Sequence, residues 1–215
     1  MKRGRGRFIT FEGGEGAGKS TQIKLLATWL TARGISVLTT REPGGTDGAE
    51  RIRKLLVEGE VGDWTPMTEA LLHYAARIEH VARIVEPALA GGQWVLCDRF
   101  ADSTMAYQGY GHRLGRARIA ALHRIALGRL KPDLTLILDV PVAAGLARAA
   151  ERRGTETRYE NMAVEFHSRL RRGFRAIARA EPRRCVLLDA RAGIAAVHQD
   201  IRDAIAHRLR RDVPR

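Results

Sequence analysis

Apolar positions along this chain fall into two rhythms. Five short runs are apolar, aromatic or β-branched almost without interruption: Phe8–Phe11, Ser36–Thr40, Gln93–Cys97, Leu134–Val140 and Cys185–Asp189. Such runs read as strands buried on both faces. Between them apolar residues recur every three or four positions, the helical period. Ile23, Leu26, Ala27 and Leu30 share one face of a helix over 20–33, which Gly34 stops. Leu71, Ala75, Ile78, Ala82, Val85 and Leu89 hold the same period over a long helix, 68–90. His73, Arg77 and His80 form a second, polar stripe on that helix, and Pro87 predicts a kink or an early end. Shorter helices are expected over 49–56, 101–107, 116–127 and 143–153, and longer ones over 160–180 and 194–210.

Strands alternating with helices predict an α/β fold: a five-stranded parallel sheet with helices on both faces. No repeat, linker or second composition interrupts the pattern, so residues 1–215 are expected to form a single domain. Residues 1–6 are expected to be a short disordered basic tail. Ligands in such sheets bind beyond the carboxyl ends of the strands. Those ends carry Glu12-Gly13, Arg41-Glu42, Asp98-Arg99, Asp139 and Asp189.

The first strand runs into Gly13-Gly14-Glu15-Gly16-Ala17-Gly18-Lys19-Ser20-Thr21, followed by a helical pattern. That is the P-loop signature in its required strand–loop–helix context. Its glycines let the backbone approach an anion closely, and its N–H groups cradle phosphates. Residues 13–21 are therefore candidate ATP-binding residues. Lys19 is expected to reach the β- and γ-phosphates, and Ser20 to offer its hydroxyl to Mg²⁺. A second metal-binding candidate is a carboxylate at a neighbouring strand end. Asp98 and Asp139 both qualify, and Asp98 is favoured. Arg99 beside it can grip a phosphate through two N–H groups.

Charge changes this picture little. The net charge is +13, almost all from arginine, since lysine occurs only at positions 2, 19, 24, 54 and 131. This favours polyanionic or phosphorylated partners. The arginines are scattered and not interleaved with aromatics, which speaks against a nucleic-acid surface. Cys97 and Cys185 sit in strand-like runs and read as buried reduced thiols of a cytoplasmic protein. No apolar run approaches a membrane span, and the basic N-terminus lacks the apolar core of a secretory signal.

Taken together, FEGGEGAGKST (11–21), TREPGGT (40–46), EALLHYAAR (69–77), VLCDRFADSTMAYQGYG (95–111) and ERRGTETRYE (151–160) resemble bacterial thymidylate kinase, in the order and spacing of that family. The resemblance implies a P-loop nucleoside-monophosphate-kinase fold with a small LID at 151–159. The implied reaction is ATP + dTMP → ADP + dTDP, for dTTP synthesis, with Mg²⁺ and with ATP and dTMP as the small-molecule partners. It also implies a homodimer, formed through helices flanking the third strand.

The same resemblance implies residue roles. Glu15 matches a carboxylate near the sugar 3′-hydroxyl of the acceptor, and Arg99 the arginine on the acceptor phosphate, with Asp98 near the Mg²⁺ water shell. Arg77 matches the residue that hydrogen-bonds a thymine carbonyl. Ser103, Thr104, Tyr107 and Gln108 match the base and sugar pocket, where the Tyr107 ring would exclude ribose. Glu42 and Pro43 belong to a loop packed over the acceptor. His73 stands where the family usually has Phe or Tyr stacked on the base. The loop between Gly13 and Lys19 holds no basic residue, which resembles the subtype whose LID arginines complete the catalytic charge. Arg153 and Arg158 are the candidates, with Arg148 one turn upstream. Rival readings are a kinase for another nucleoside monophosphate or a deoxynucleoside, a regulatory P-loop switch or nucleic-acid-associated ATPase, and a non-catalytic nucleotide-binding module. The intact Lys19-Ser20-Thr21 and Asp98-Arg99, and the absence of an NKxD guanine motif, weigh against the last two.

Overall fold

The structure, a computed structural model, describes residues 5–151, 158–209 and 212. In chain order the elements are β1 (Phe8–Glu12), α1 (Lys19–Thr31), β2 (Val37–Arg41), α2 (Asp47–Val57), α3 (Pro66–His80), α4 (Glu86–Ala90), β3 (Trp94–Asp98), α5 (Ala101–Thr104), α6 (Arg116–Leu127), β4 (Leu134–Asp139), α7 (Val142–Ala150), α8 (Val164–Ala180), β5 (Cys185–Asp189) and α9 (Ile194–Arg208). The strands pair in parallel in the order β2-β3-β1-β4-β5. β1 lies at the centre because all five of its residues are buried and none needs a solvent face.

Register aligns the strand ends along one rim, with Asp98 beside both Phe11 and Arg41, and Asp139 beside Asp189. Alternation along β1 sorts its side chains. Ile9 and Phe11 pack with Leu26, Leu30, Ile201 and Ile205 from α1 and α9. Phe8 faces the other way, edge-on to Phe100 and against Val85 and Leu89. Beneath α8, Tyr107, Ile137, Phe166 and Phe174 close a further part of the core.

Several boundaries depart from the periodic reading. α3 starts at Pro66, because Thr65 caps it by accepting the Thr68 N–H at 3.3 Å and Pro66 needs no partner in the first turn. The helix does not break at Pro87. A π-helical turn over Val81–Val85, closed by Glu86 N–H to Val81 C=O, carries it into α4, whose first turn takes the proline. A second π-helical turn, Met105–Gly111, extends α5 beyond the expected end at 107. α8 begins at Val164 rather than 160, and α7 ends at Ala150. Residues 152–153, expected to extend α7, lie outside the described residues, as do tail residues 1–4.

The two stripes of α3 are disposed opposite to the simplest expectation. Its polar stripe faces inward, with His80 buried and Arg77 only 2% exposed. Much of the apolar stripe, which runs on past α3 through the π-helical turn into α4, faces out: Leu71 is 50% and Ile78 43% exposed, and Ala75 and Ala82 are exposed too. Only Val85 and Leu89 of that stripe are buried.

Candidate active site

The P-loop arches from β1 into α1. Its tip rests on the start of α7, where a Cβ on Gly16 would lie 2.0 Å from the Gly145 carbonyl oxygen. Gly18 takes a left-handed φ of 87° and starts α1, aiming the positive end of that helix at the loop. Lys19 folds back so that Nζ donates to the carbonyls of Gly13 at 3.4 Å and Gly14 at 3.1 Å. Burial, and then the charge of Arg99, lower its pKa to about 8.

Asp98-Arg99 leaves β3 in a tight turn. Arg99 itself is left-handed, with φ 68°. The buried Glu12 carboxyl holds this turn, accepting the Phe100 N–H at 2.8 Å and the Ser103 hydroxyl at 2.5 Å. Burial, and the nearby charge of Asp102, push Glu12 up to about 8. Arg99 Nη1 donates to the Gly13 carbonyl at 2.9 Å, and Nη2 to the Glu15 carboxylate at 3.0 Å. The Tyr107 hydroxyl donates to the same Glu15 oxygen. Burial works against the Glu15 charge, but Arg99, Lys19 and Tyr107 hold it down to about 2.

Ser20 Oγ donates to Asp98 at 2.8 Å. Asp139 instead takes two hydrogen bonds from Arg171, at 2.7 and 2.9 Å. Of the two candidate acids, Asp98 is the one bonded to the P-loop. Two hard oxygen donors side by side suit a magnesium ion that shares them with phosphate oxygens and water.

The far end of the site is built by α3 and by the loop after β2. Glu42, preceding Pro43 through a cis peptide bond, accepts from Arg77 Nε at 2.7 Å and pairs with His80 Nδ1 at 2.9 Å. Burial opposes the Glu42 charge, and the Arg77 guanidinium and His80 hold its pKa below the usual range. Arg77 Nη2 donates to Thr104 Oγ1 at 3.0 Å and to the Phe100 carbonyl at 3.1 Å. His73 is bonded to the Tyr159 hydroxyl at 2.9 Å, and burial lowers its pKa to about 4, so the imidazole is neutral.

A cleft of about 760 Å³ joins these parts. Residues Glu15 to Thr21 line one end, with Asp98 and Arg99 at the middle. Glu42, Pro43, His73, Ser103, Thr104, Tyr107 and Gln108 line the other end. Arg77 stands just behind this wall, attached to it through Thr104.

Arg158 is the correction. The expectation was a guanidinium reaching the transferring phosphate. The structure buries it at 1% exposed, away from the cleft lining, with Nη2 on Glu69 at 2.7 Å and the other nitrogens on the Leu56 and Glu60 carbonyls. A guanidinium so committed has no free face for a phosphate. Arg153 lies outside the described residues. The described arginine of that group that does line the cleft is Arg148, bonded to the Ala190 carbonyl at 3.2 Å. Arg41, expected at the strand-end rim, lines the cleft, but periodicity gave no notice of Arg53, Tyr159 and Glu160 on its wall. Their only signal was position, beside the Pro-Gly-Gly loop or at the edge of the arginine-rich segment.

The thymidylate kinase family model matches residues 11–201. A thymidylate kinase of Caulobacter vibrioides is 56% identical over 205 residues, 95% of this chain and 98% of its own length. One from Afipia carboxidovorans is 53% identical, over 98% of this chain and 93% of its own. The crystal structure of Ehrlichia chaffeensis thymidylate kinase superposes with a TM-score of 0.77 at 36% identity, covering 94% of this chain and 98% of that one. With a match that takes in the P-loop and the Asp98-Arg99 turn and reaches into the final helix, this chain belongs to the thymidylate kinase family.

Proposed function

We propose that the cleft transfers the γ-phosphoryl group of ATP to dTMP, giving ADP and dTDP. One observation carries this reading: Lys19 and Arg99, from two different strand ends, both donate to the carbonyl oxygen of Gly13. Two cations converging on one point of a P-loop mark where a donor and an acceptor phosphate meet. Lys19 takes the donor side, continuous with the loop amides. Arg99 takes the acceptor side, next to Glu15 and Tyr107 at the sugar.

An oxygen of the acceptor phosphate attacks the γ-phosphorus while the bond to the β,γ-bridging oxygen breaks, and ADP leaves. That phosphate is already an anion, so no residue has to remove a proton. The chain contributes placement and positive charge. Ser20 and Asp98 are the residues that would hold Mg²⁺, which supplies charge neutralisation of the β- and γ-oxygens when bound. Arg148 on the cleft wall, with Arg153 further along the same segment, supplies the charge that the P-loop lacks.

The base is placed between His73 and the Arg77–Thr104–Gln108 wall. Arg77 Nη1 is a buried donor and Gln108 Oε1 a buried acceptor, neither partnered among the described residues. A thymine edge offers both complements. The active unit is read as a homodimer, formed through the exposed apolar face of α3. Phosphorylated substrates and the free Cys97 and Cys185 thiols fit a reducing cytoplasm, and no described helix is long and apolar enough to cross a membrane. The test is ADP release with ATP and a panel of nucleoside monophosphates. dTMP is expected to be the best acceptor, and preference for a purine acceptor would overturn the reading.

A further inference from the structure

Glu69 on α3 is fully buried and stands outside the cleft lining, yet three groups converge on its carboxylate. Oε1 accepts from Gln108 Nε2 at 2.6 Å and lies 3.3 Å from His112 Nε2. Oε2 accepts from Arg158 Nη2 at 2.7 Å. An ionised carboxylate only accepts hydrogen bonds. Burial opposes the charge, but the hydrogen bonds from His112 and Gln108 hold Glu69 down to about 2, so it is ionised.

An acceptor-only neighbour settles which way round the Gln108 amide sits. Its NH₂ must face Glu69, so its Oε1 faces away as an acceptor. That oxygen is buried and has no partner among the described residues, in a residue that lines the cleft. One turn earlier on the same segment, Thr104 is bonded to Arg77, whose Nη1 is a buried donor without a partner among the described residues. A fixed acceptor on the wall and a fixed donor just behind it complement a pyrimidine with N3–H and C4=O. They mismatch one with a bare N3 and a C4 amino group.

We propose that Glu69 is a specificity-positioning residue. Through its hydrogen bond to Gln108 it presents a carbonyl oxygen to the base and so selects pyrimidines that carry N3–H. The proposal rests on the dTMP reading of the cleft. Arg158 supports it by neutralising the buried charge that keeps Glu69 an acceptor. In Glu69→Gln the neighbour can donate or accept, and the Gln108 amide is free to turn over.

The test is steady-state kinetics with dTMP and dCMP at saturating ATP, on wild type, Glu69→Gln, Gln108→Leu and the double variant. Glu69→Gln is expected to lower the dTMP:dCMP ratio of kcat/KM by about tenfold, the scale of one hydrogen bond that discriminates. The loss should fall mainly in the KM for dTMP, with the KM for ATP unchanged. Gln108→Leu should lower the ratio similarly, and Glu69→Gln should add nothing in its background. An unchanged ratio in Glu69→Gln, or independent losses that multiply in the double variant, overturns the proposal. Should Glu69→Gln fail to fold, wild type and Gln108→Leu decide with N3-methyl-dTMP. A raised KM against dTMP in wild type, relieved in Gln108→Leu, supports the proposal, and equal penalties in both overturn it. Wild type inactive on dTMP would instead sink the reading of the cleft, a result distinguishable from either.

Discussion

Arg158 donates to Glu69 at 2.7 Å, and the two side chains are almost wholly buried. Removing one partner of such a pair leaves an uncompensated buried charge, which costs about 3–5 kcal/mol. Arg158→Ala is therefore expected to lose stability on that scale in urea unfolding. Arg158→Lys should recover only part of it, since one ammonium cannot serve Glu69 and two carbonyls in the same planar geometry. A large fall in kcat with an unchanged unfolding midpoint would return Arg158 to the transferring phosphate.

Among the described residues Lys19 Nζ donates to backbone carbonyls alone, and burial and then the charge of Arg99 lower its pKa. Its charge helps to hold Glu15 ionised, beside the larger contribution of Arg99, and its own burial works against that charge. Lys19→Ala should lower kcat by at least about 10²–10³-fold, the range for loss of a preorganised charge contact. Its unfolding midpoint should stay at or above that of the wild type. Near-normal turnover would remove the P-loop from the reaction.

The strands, their parallel pairing and the rim they share were legible, because a buried strand declares itself in a few consecutive residues. The P-loop and Asp98-Arg99 were legible because their chemistry is local. Arg158 was not. In ERRGTETRYE it is one arginine among three, and only a partner 89 residues away, Glu69, decides its direction. Glu12 stood at a strand end and Glu69 opened a matching motif, but that each is a buried hub was not legible, for the same reason. Periodicity marks a carboxylate as polar and says nothing of a buried hub. The π-helical turn at 105–111, which seats Tyr107 and Gln108, leaves no periodic signature either.

His73 donates to or accepts from Tyr159, and its neutral ring stands where stacking on a base is expected. His73→Phe forfeits that bond but offers more apolar area to the base. The KM for dTMP should stay level or fall by about two- to threefold, a gain of a few tenths of a kcal/mol. A rise of tenfold would show that the Tyr159 bond, and not the ring face, is what the site uses.

Stability should respond to pH from two opposing directions. Glu12 is raised to about 8 by burial and by Asp102, while Ser103, Arg99 and the Phe100 N–H pull it down. An unfolded glutamate titrates near about 4.3. Between those values the folded state holds a proton that the unfolded state has lost. This contribution is full below about 4.3 and is lost as pH rises through about 8. Glu15 and Glu69, held at about 2, contribute oppositely: their stabilisation is present above about 4.3 and lost as pH falls toward about 2. Glu12→Gln should flatten the decline in urea midpoint between pH 5 and about 8.5 while leaving the acid limb intact. Parallel wild-type and variant curves would show Glu12 ionised throughout.

Leu71 and Ile78 lie two turns apart on α3, with exposed Ala75 between them, while the charged face of the same helix is the buried one. A helix that spends its polar face on the active site has only its apolar face left for a partner. In the proposed homodimer a second copy of the chain would satisfy it, because a twofold axis lets the same stripe meet itself. The wild type should then sediment at twice 23.8 kDa. Leu71→Glu should place like charges across the axis and shift the species to the monomer. Because α3 also carries His73 and Arg77, the monomeric variant should show a raised KM for dTMP and a KM for ATP close to that of the wild type. A wild-type monomer at micromolar concentration would leave the stripe without this partner, and a Leu71→Glu dimer would move the interface elsewhere.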